Sequence, residues 1–356
     1  MSVGISLYLG LGDSLEENTG LIKRAASFGI KRIFTSFLIP ETDKERLKDE
    51  VGTVLKIARQ ENLEVIADVS PATLELLGIN EFTANTFKML GISTLRIDAG
   101  YDAATIAKLS RNRHNVRIQV NASTMTGNFL TKLISKKTNF QNVDALHNFY
   151  PRPGTGLSEE TLVRKTVMLH KVGVKVGAFI PGRRKKRAPL FDGLPTLEDH
   201  RDMELGLAAR HLVALGIDSV FIGDNMPADE EMQELAALKD DCVIVKAKML
   251  TKDTAQQELL EHVFSARTDE ARDAIRARES RAMVGAPILP ENTAQRKVGA
   301  ITIDNEKYLR YMGELEIIKF EQEADERVNV AAQVNEEEMF LLDYITPGRK
   351  FSFKFQ

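Results

Sequence analysis

Three aspartates each stand at the end of a short, apolar and β-branched segment of the chain. Asp68 ends the segment EVIADVS, Asp98 ends TLRIDAG, and Asp224 ends SVFIGD. Hydrolysis of a glycosidic bond commonly uses a proton donor and a second carboxylate, and crowding of carboxylates keeps one of them protonated near neutral pH. We therefore expect an acid–base pair of Asp68 and Asp98, with Asp224 and Glu41 as further catalytic candidates. The alternative for each strand-end aspartate is that it caps the following helix.

These segments belong to a pattern that repeats through the first 225 residues. Eight strand-like segments alternate with stretches of helical periodicity that end near glycine or asparagine. The segments span residues 4–9, 32–38, 64–70, 94–100, 117–123, 143–150, 175–182 and 219–224. Because the segments are too apolar for a sheet with one face in water, they predict a (β/α)8 TIM barrel over residues 1–240. An open doubly wound sheet is the alternative, but neither G-x-G-x-x-G nor G-x-x-x-x-G-K-[ST] occurs.

The pattern changes after residue 240. The stretch TDEARDAIRARESR is the one that indicates a helix there, whereas several others are strand-like. The strand-like stretches are CVIVKAKML, KVGAITIDN, ELEIIKF, RVNVAAQV, MFLLDYI and FSFKF. Residues 241–356 are therefore predicted to form a second, mainly β domain, a small barrel or sandwich.

Active sites of such barrels lie at the C-terminal ends of the strands, which supplies further candidates. Aromatic faces, amides and hydroxyls at these positions suit a sugar ring. The predicted substrate contacts are Tyr8, Ser36, Arg96, Asn121, His147, Asn148, Tyr150 and Arg152. Arginines suit a phosphate or carboxylate, although a solvated cationic loop is the default interpretation of the run GRRKKR. The predicted anion-binding residues are Arg183 in that run and, in the second domain, Arg278, Arg281 and Arg296.

Composition limits the partners. Lys and Arg number 48 against 51 Asp and Glu, for a formal net charge of −3, which gives no general attraction to nucleic acid or an anionic membrane. No signal peptide and no apolar run of membrane-spanning length is visible. Cys242 is the single cysteine, so no disulfide framework within the chain can form, which fits the cytoplasm. Although carboxylates with His147 could hold a metal, no H-x-H or H-E-x-x-H spacing supports one, and we expect no metal or other cofactor. A second copy of the chain, as a homodimer, is a candidate partner.

Several long strings resemble the bacterial 6-phospho-N-acetylmuramidase family, over essentially the whole chain. They are HNFYPRPGTGLS, FIPGRRKKRAPLFDGLPTLEDHR and VGAITIDNEKYLRYMGELEI, together with GISLYLG and IFTSFL. The resemblance implies a barrel followed by a cyclophilin-like β domain. It also implies hydrolysis of the β-1,4 bond of a phosphorylated amino-sugar disaccharide, 6-phospho-N-acetylmuramyl-N-acetylglucosamine. The products would be N-acetylmuramic acid 6-phosphate and N-acetylglucosamine, in cytoplasmic recycling of cell-wall sugars.

The sequence is also compatible with functions other than glycoside hydrolysis. A sugar-phosphate isomerase, epimerase or aldolase could use the same barrel, and a non-catalytic phosphosugar sensor is a third hypothesis. A Schiff-base aldolase needs a lysine that faces the mouth, whereas Lys175 stands at the start of its strand. Within the glycosidase hypothesis, two-carboxylate hydrolysis and attack by the substrate's own 2-acetamido group are both open.

Overall fold

The computed structural model of the protein describes residues 1–37, 39–79, 81–98 and 101–355. Two compact units make up the chain. The first comprises Met1–Leu212 and Gly216–Leu238, and the second comprises Val213–Leu215 and Lys239–Gln356. Among the described residues, no helix combines the length and the apolar character that a bilayer crossing needs.

The first unit is a closed barrel of eight parallel strands, each paired with the next in chain order and β8 paired with β1. The strands are β1 (Ser2–Ser6), β2 (Arg32–Ser36), β3 (Glu64–Val69), β4 (Thr94–Ile97), β5 (Arg117–Asn121), β6 (Val143–Leu146), β7 (Lys175–Ile180) and β8 (Ser219–Ile222). The predicted (β/α)8 barrel is confirmed. The ends of two predicted segments, Leu38 and Ala99–Gly100, lie outside the described residues.

Nine helices are found among the described residues of this unit. They are α1 (Leu15–Ser27), α2 (Lys44–Gln60), α3 (Pro71–Leu76), α4 (Ala84–Leu90), α5 (Ala103–Ser110), α6 (Gly127–Ser135), α7 (Glu159–His170), α8 (Leu205–Ala214) and α9 (Asp229–Ala236). Short 3-10 turns lie at Phe140–Asn142 and Glu198–His200. Most of these helices start at a hydroxyl or carboxylate cap; Ser14, for example, forms a capping box with Glu17.

The interior of the barrel is polar at one end and aromatic at the other. Near the N-terminal ends of the strands, Arg32 donates to Asp144 over 2.8 Å and pairs with Glu64 at 2.9 Å. Towards the C-terminal ends, the interior is filled by a cluster of buried apolar side chains. Its members are Tyr8, Phe34, Ile66, Leu146, Phe179, Leu194 and Phe221, with Phe149 packed against it. This aromatic layer forms a firm floor beneath the C-terminal mouth of the barrel.

The predicted strand VDALHNFY is shorter than expected, because β6 ends at Leu146. Beyond that residue the backbone leaves the ladder for other partners. The Asn148 N–H donates to the Ser123 hydroxyl over 2.9 Å, and the Tyr150 N–H donates to the Pro195 carbonyl over 2.9 Å. The rest of the segment is therefore a loop at the mouth.

The second unit is a seven-stranded mixed sheet. Its strands are β9 (Cys242–Met249), β10 (Phe264–Ser265), β11 (Ala274–Arg276), β12 (Ala300–Asp304), β13 (Leu315–Ile318), β14 (Val328–Val334) and β15 (Lys350–Phe355). Their order in the sheet is β10-β15-β9-β14-β12-β13-β11. Among the described strands of this second sheet, only β9 and β15 are parallel neighbours. The sheet curls back on itself, because a bridge between Ala266 and Ala277 joins its two edges. A mainly β second domain is confirmed.

Two assignments in this unit were wrong. MFLLDYI lies in a 3-10 helix, Glu336–Tyr344, because a short apolar run cannot distinguish a strand from a buried helix. TDEARDAIRARESR contains β11, where Ala274 pairs with Ile318, so that tertiary pairing overrides the helix propensity of alanine, arginine and glutamate. The helices are instead α10 (Thr254–Leu260) and α11 (Ser280–Met283), with a further 3-10 segment at Glu306–Tyr311.

Candidate active site

A cavity of about 490 Å³ opens at the C-terminal ends of the barrel strands. This volume lies within the range of small-molecule sites. Its lining combines carboxylates, two arginines, an amide and apolar walls. The lining residues are Phe34, Ser36, Ile39, Pro40, Glu41, Asp68, Arg96, Asp98, Asn148, Phe149, Pro151, Phe179, Arg187, Pro189 and Leu190. Six predicted site residues are thus brought together: Ser36, Glu41, Asp68, Arg96, Asp98 and Asn148.

Arg96 on β4 is the centre of the polar group of residues that lines the cavity. It is 2% exposed, and its Nη1 donates to the Leu146 carbonyl over 2.9 Å. Its Nε lies 3.9 Å from Oδ1 of Asp68, and its Nη2 lies 4.0 Å from Oδ1 of Asp98. Its Nη2 also donates a hydrogen bond to the side-chain oxygen of Asn148. One immobilised guanidinium therefore lies within 4.0 Å of both carboxylates.

Asp68 on β3 is the more enclosed of the two acids, with 13% of its side chain exposed. Its Oδ2 accepts a 3.3 Å hydrogen bond from Ser36, while Oδ1 is buried and lacks a hydrogen-bond partner among the described residues. Burial raises the pKa of Asp68 from 3.8 to about 6, against the lowering effect of Arg96 and Ser36 and with a further rise from Asp98. Asp68 can therefore hold a proton at a pH where an ordinary aspartate is ionised.

Asp98, just beyond β4, has a different environment. Its side chain is 32% exposed, and it accepts a hydrogen bond from the Asn121 amide. Asn121 is held in place because its own side-chain oxygen accepts from the Ser123 N–H over 2.8 Å. The site thus pairs a buried, protonatable carboxyl with a hydrogen-bonded, water-accessible carboxylate. This division of environments is the one that separates a proton donor from a second carboxylate.

The alternative that these aspartates cap the next helix fails for Asp98. Asp102 caps α5, accepting from the Thr105 N–H over 2.8 Å. The position of Asp98 therefore reflects the cavity and not a helix terminus.

Asp224 has the same strand-end signature but does not line the cavity. It is 0% exposed, and its two oxygens accept from the backbone N–H groups of Gly182, Arg187 and Leu194 over 2.9, 2.9 and 3.0 Å. Burial raises its pKa, against the lowering effect of these backbone bonds. Asp224 does not cap α9, whose N-cap is Ala228. It holds together the loop between β7 and α8.

Two other predicted substrate contacts are buried behind the cavity wall. Tyr8 is 1% exposed and donates its hydroxyl proton to the Gly223 carbonyl over 2.7 Å. His147 is 0% exposed and lies between the hydroxyls of Ser123, at 3.1 Å, and Thr166, at 3.2 Å. Burial lowers the pKa of His147 to about 3, so its imidazole is neutral at physiological pH. Through Ser123, it supports the backbone of Asn148.

The remaining predicted residues do not line the cavity either. Tyr150 is half-buried, Arg152 is exposed, and the carbonyls of both accept from Arg201. Arg183 is exposed, and its Nη1 donates to the Arg201 carbonyl over 3.0 Å. Arg278, Arg281 and Arg296 belong to the second unit, and their predicted role in anion binding stays a prediction.

Arg187, the last cation of the run GRRKKR, was not among the predicted site residues. Arg187 is 8% exposed and lines the cavity, with its guanidinium carbon 4.9 Å from the ring centres of both Tyr8 and Phe149. The cationic run was the available signal. Its pattern could not show which of the five residues turns inward, because burial is decided by loop contacts. Among the residues that the structure describes, no cluster of three or more histidine, cysteine or acidic side chains has the arrangement of a metal site.

Comparisons with solved structures reveal relatives over the full length. An uncharacterized B. cereus protein matches with a TM-score of 0.83 and 31% identity, covering 99% of each chain. A conserved Enterococcus faecalis protein with an unknown function matches with a TM-score of 0.67 and 31% identity, covering 100% of this chain and 97% of that one. No curated protein matches the chain.

Family models identify both parts of the chain. Residues 3–237 match the N-terminal model of 6-phospho-N-acetylmuramidase, and residues 243–354 match its C-terminal model. The first model covers the barrel that holds Arg96 and its two carboxylates, and the second covers the curled sheet. The chain therefore belongs to the 6-phospho-N-acetylmuramidase family.

Proposed function

We propose that the protein hydrolyses the β-1,4 bond of 6-phospho-N-acetylmuramyl-N-acetylglucosamine. The products are N-acetylmuramic acid 6-phosphate and N-acetylglucosamine, in cytoplasmic recycling of cell-wall sugars. The observation that carries the proposal is the pair Asp68 and Asp98, which share one cavity and one guanidinium but have different environments. Membership of a muramidase family supports glycosidase activity in general.

Asp68 acts as the general acid. Its raised pKa keeps a fraction of the carboxyl protonated near pH 6, and this proton passes to the glycosidic oxygen as the bond to the anomeric carbon breaks. The leaving sugar departs as an alcohol. Water then adds its hydroxyl to the anomeric carbon and gives its remaining proton to a carboxylate of the pair, which returns the site to its starting protonation. The ionised Asp68 that remains is stabilised by Arg96.

Asp98 acts as the second carboxylate. Positive charge develops on the sugar ring in the oxocarbenium-like transition state, and a carboxylate beside the ring stabilises it. Asn121 orients Asp98 for this role. Ser36, Asn148 and Glu41 line the same cavity and are the proposed contacts to sugar hydroxyls and amides.

The test is release of N-acetylglucosamine from the phosphorylated disaccharide. Wild-type protein is expected to release it, and Asp68→Asn and Asp98→Asn are each expected to lower kcat by about 10²- to 10⁴-fold. Asp102→Asn is the matched control, because Asp102 caps α5 outside the cavity and asparagine preserves the cap.

Thermal melting shows whether each variant is folded. Failure of the wild-type protein to cleave the disaccharide would contradict the proposed substrate. Normal turnover by folded Asp68→Asn and Asp98→Asn would contradict the assigned roles.

A further inference from the structure

We propose that Arg187 binds an oxyanion of the substrate, its phosphate or its lactyl carboxylate, at the wall of the cavity. This inference rests on the proposed function and names the residue that recognises the charged groups of the sugar. Arg187 is a buried guanidinium, and two of its nitrogens have no hydrogen-bond partner among the described residues.

The side chain of Arg187 is 8% exposed and lines the cavity. Its Nε and Nη1 are buried and have no hydrogen-bond partner among the described residues. A buried charge is costly unless it is paired and hydrogen-bonded, and removal of a partner from such a pair is strongly destabilising. Two buried guanidinium nitrogens without a hydrogen-bond partner among the described residues, at a cavity wall, therefore indicate that the missing partner is a ligand.

The acid that interacts electrostatically with Arg187, Asp224, does not fill that place. Asp224 interacts electrostatically with Arg187, but its oxygens accept three backbone N–H bonds, one of them from Arg187 itself. Asp224 thus fixes the backbone at Arg187 and leaves the guanidinium available. The rings of Tyr8 and Phe149, each 4.9 Å away, hold it through cation–π contact. These contacts make Arg187 a preorganised anion site.

The other cations of the same run are arranged differently. Arg183 and Arg184 are exposed, Lys185 pairs with Asp13, and Lys186 is half-buried. None of these four lines the cavity, whereas Arg187 is buried and lines it.

A guanidinium binds planar and tetrahedral oxyanions with charge-assisted hydrogen bonds. The proposed substrate carries both kinds, a phosphate on the sugar and a carboxylate on the lactyl group. The rings of Tyr8 and Phe149 shield one side of the guanidinium from water, and such a low-dielectric setting strengthens a charge-assisted hydrogen bond. Arg187 therefore determines specificity for a charged sugar.

The experiment compares Arg187→Met with Arg184→Met, which removes the same charge from an exposed position of the same loop. Three disaccharides are used: the phosphorylated muramyl substrate, its unphosphorylated form, and a phosphorylated form without the lactyl group. We expect Arg187→Met to lower kcat/KM for the full substrate by about 10- to 100-fold, with Arg184→Met close to wild type. Arg187→Lys should recover part of the loss, because the charge is retained without the planar geometry.

The pattern of loss identifies the anion. If the wild-type preference for phosphate disappears in Arg187→Met, the partner is the phosphate; if the preference for the lactyl group disappears, it is the carboxylate. Equal loss on all three disaccharides, or no loss, in a variant that melts like wild type would overturn the inference. Calorimetric titration with N-acetylmuramic acid 6-phosphate keeps this test separate from turnover. Binding by wild type that weakens in Arg187→Met supports the anion site even if no disaccharide is cleaved, and unchanged binding contradicts it.

Discussion

Replacement of Ser36 by alanine should move the alkaline limb of the pH profile of kcat/KM to higher pH. The Ser36 hydroxyl donates to Oδ2 of Asp68 over 3.3 Å and so favours the ionised carboxylate, which lowers the pKa of Asp68. Without this bond, the pKa of Asp68 rises and the general acid keeps its proton to higher pH. The sign of the shift is therefore fixed by the direction of the hydrogen bond.

The magnitude follows from the strength of the bond. The pKa of Asp68 is about 6, so activity that requires its protonated form falls about tenfold for each pH unit above that value. A hydrogen bond contributes about 0.5–1.5 kcal/mol, and one pKa unit corresponds to about 1.4 kcal/mol. Ser36→Ala should thus shift the limb upward by about 0.4 to 1 pH unit.

The assay is kcat/KM on the phosphorylated disaccharide from about pH 4.5 to pH 8.5, because kcat/KM reports ionisations of the free enzyme and free substrate. A phosphate monoester also titrates near pH 6, so a limb in that region is not diagnostic by itself. The difference between Ser36→Ala and wild type is diagnostic, since the substrate is the same. Ser135→Ala, on the exposed side of α6, is the control. A limb that stays in place or moves downward in Ser36→Ala would refute the assignment of Asp68 as the acid.

Two further predictions concern carboxyls outside the cavity. Burial raises the pKa of Asp304 from 3.8 to about 8, and the charges of Glu316 and Glu314 add to this rise. Between these two pH values, the folded protein keeps a proton that the unfolded chain releases. The free energy of unfolding therefore falls as the pH rises through this interval. Asp304→Asn should remove this fall in stability, so that Tm rises clearly at pH 8 and little at pH 4.5. An equal change of Tm at both pH values would contradict the link between Asp304 protonation and stability. Asp224→Ala should leave three buried N–H donors without an acceptor and lower the free energy of unfolding by roughly 3 kcal/mol or more. It should also raise KM, because one of these bonds fixes the backbone of Arg187. Asp224→Asn should have an intermediate effect. Urea unfolding and steady-state kinetics measure both effects, and an Asp224→Ala variant with wild-type stability would contradict them.

The meeting of Asp68 and Asp98 in one cavity could be predicted from sequence, because it depends on the regular arrangement of the barrel strands. Parallel strands of a barrel end at one face, so residues that end β3 and β4 meet wherever the barrel forms. The register that places Asp68 beside Arg96 is a direct consequence. The apolar segments and their spacing were sufficient for this inference.

The roles of Asp224 and Arg187 could not be predicted in this way. Asp224 shares the strand-end signature of Asp68, but its partners are backbone N–H groups 30 to 42 residues earlier in the chain. Arg187 and Arg183 lie in one cationic run, and the fold of the loop alone decides that Arg187 is buried and Arg183 exposed. Such irregular loop contacts have no periodic signature in the sequence.

A crystal structure of Asp68→Asn with the intact phosphorylated disaccharide would decide whether Asp68 and Asp98 flank the scissile bond. We expect the glycosidic oxygen to lie about 2.6–3.2 Å from the side chain at position 68, with the anomeric carbon facing Asp98. A disaccharide bound outside this cavity, or one whose glycosidic oxygen faces away from position 68, would contradict it.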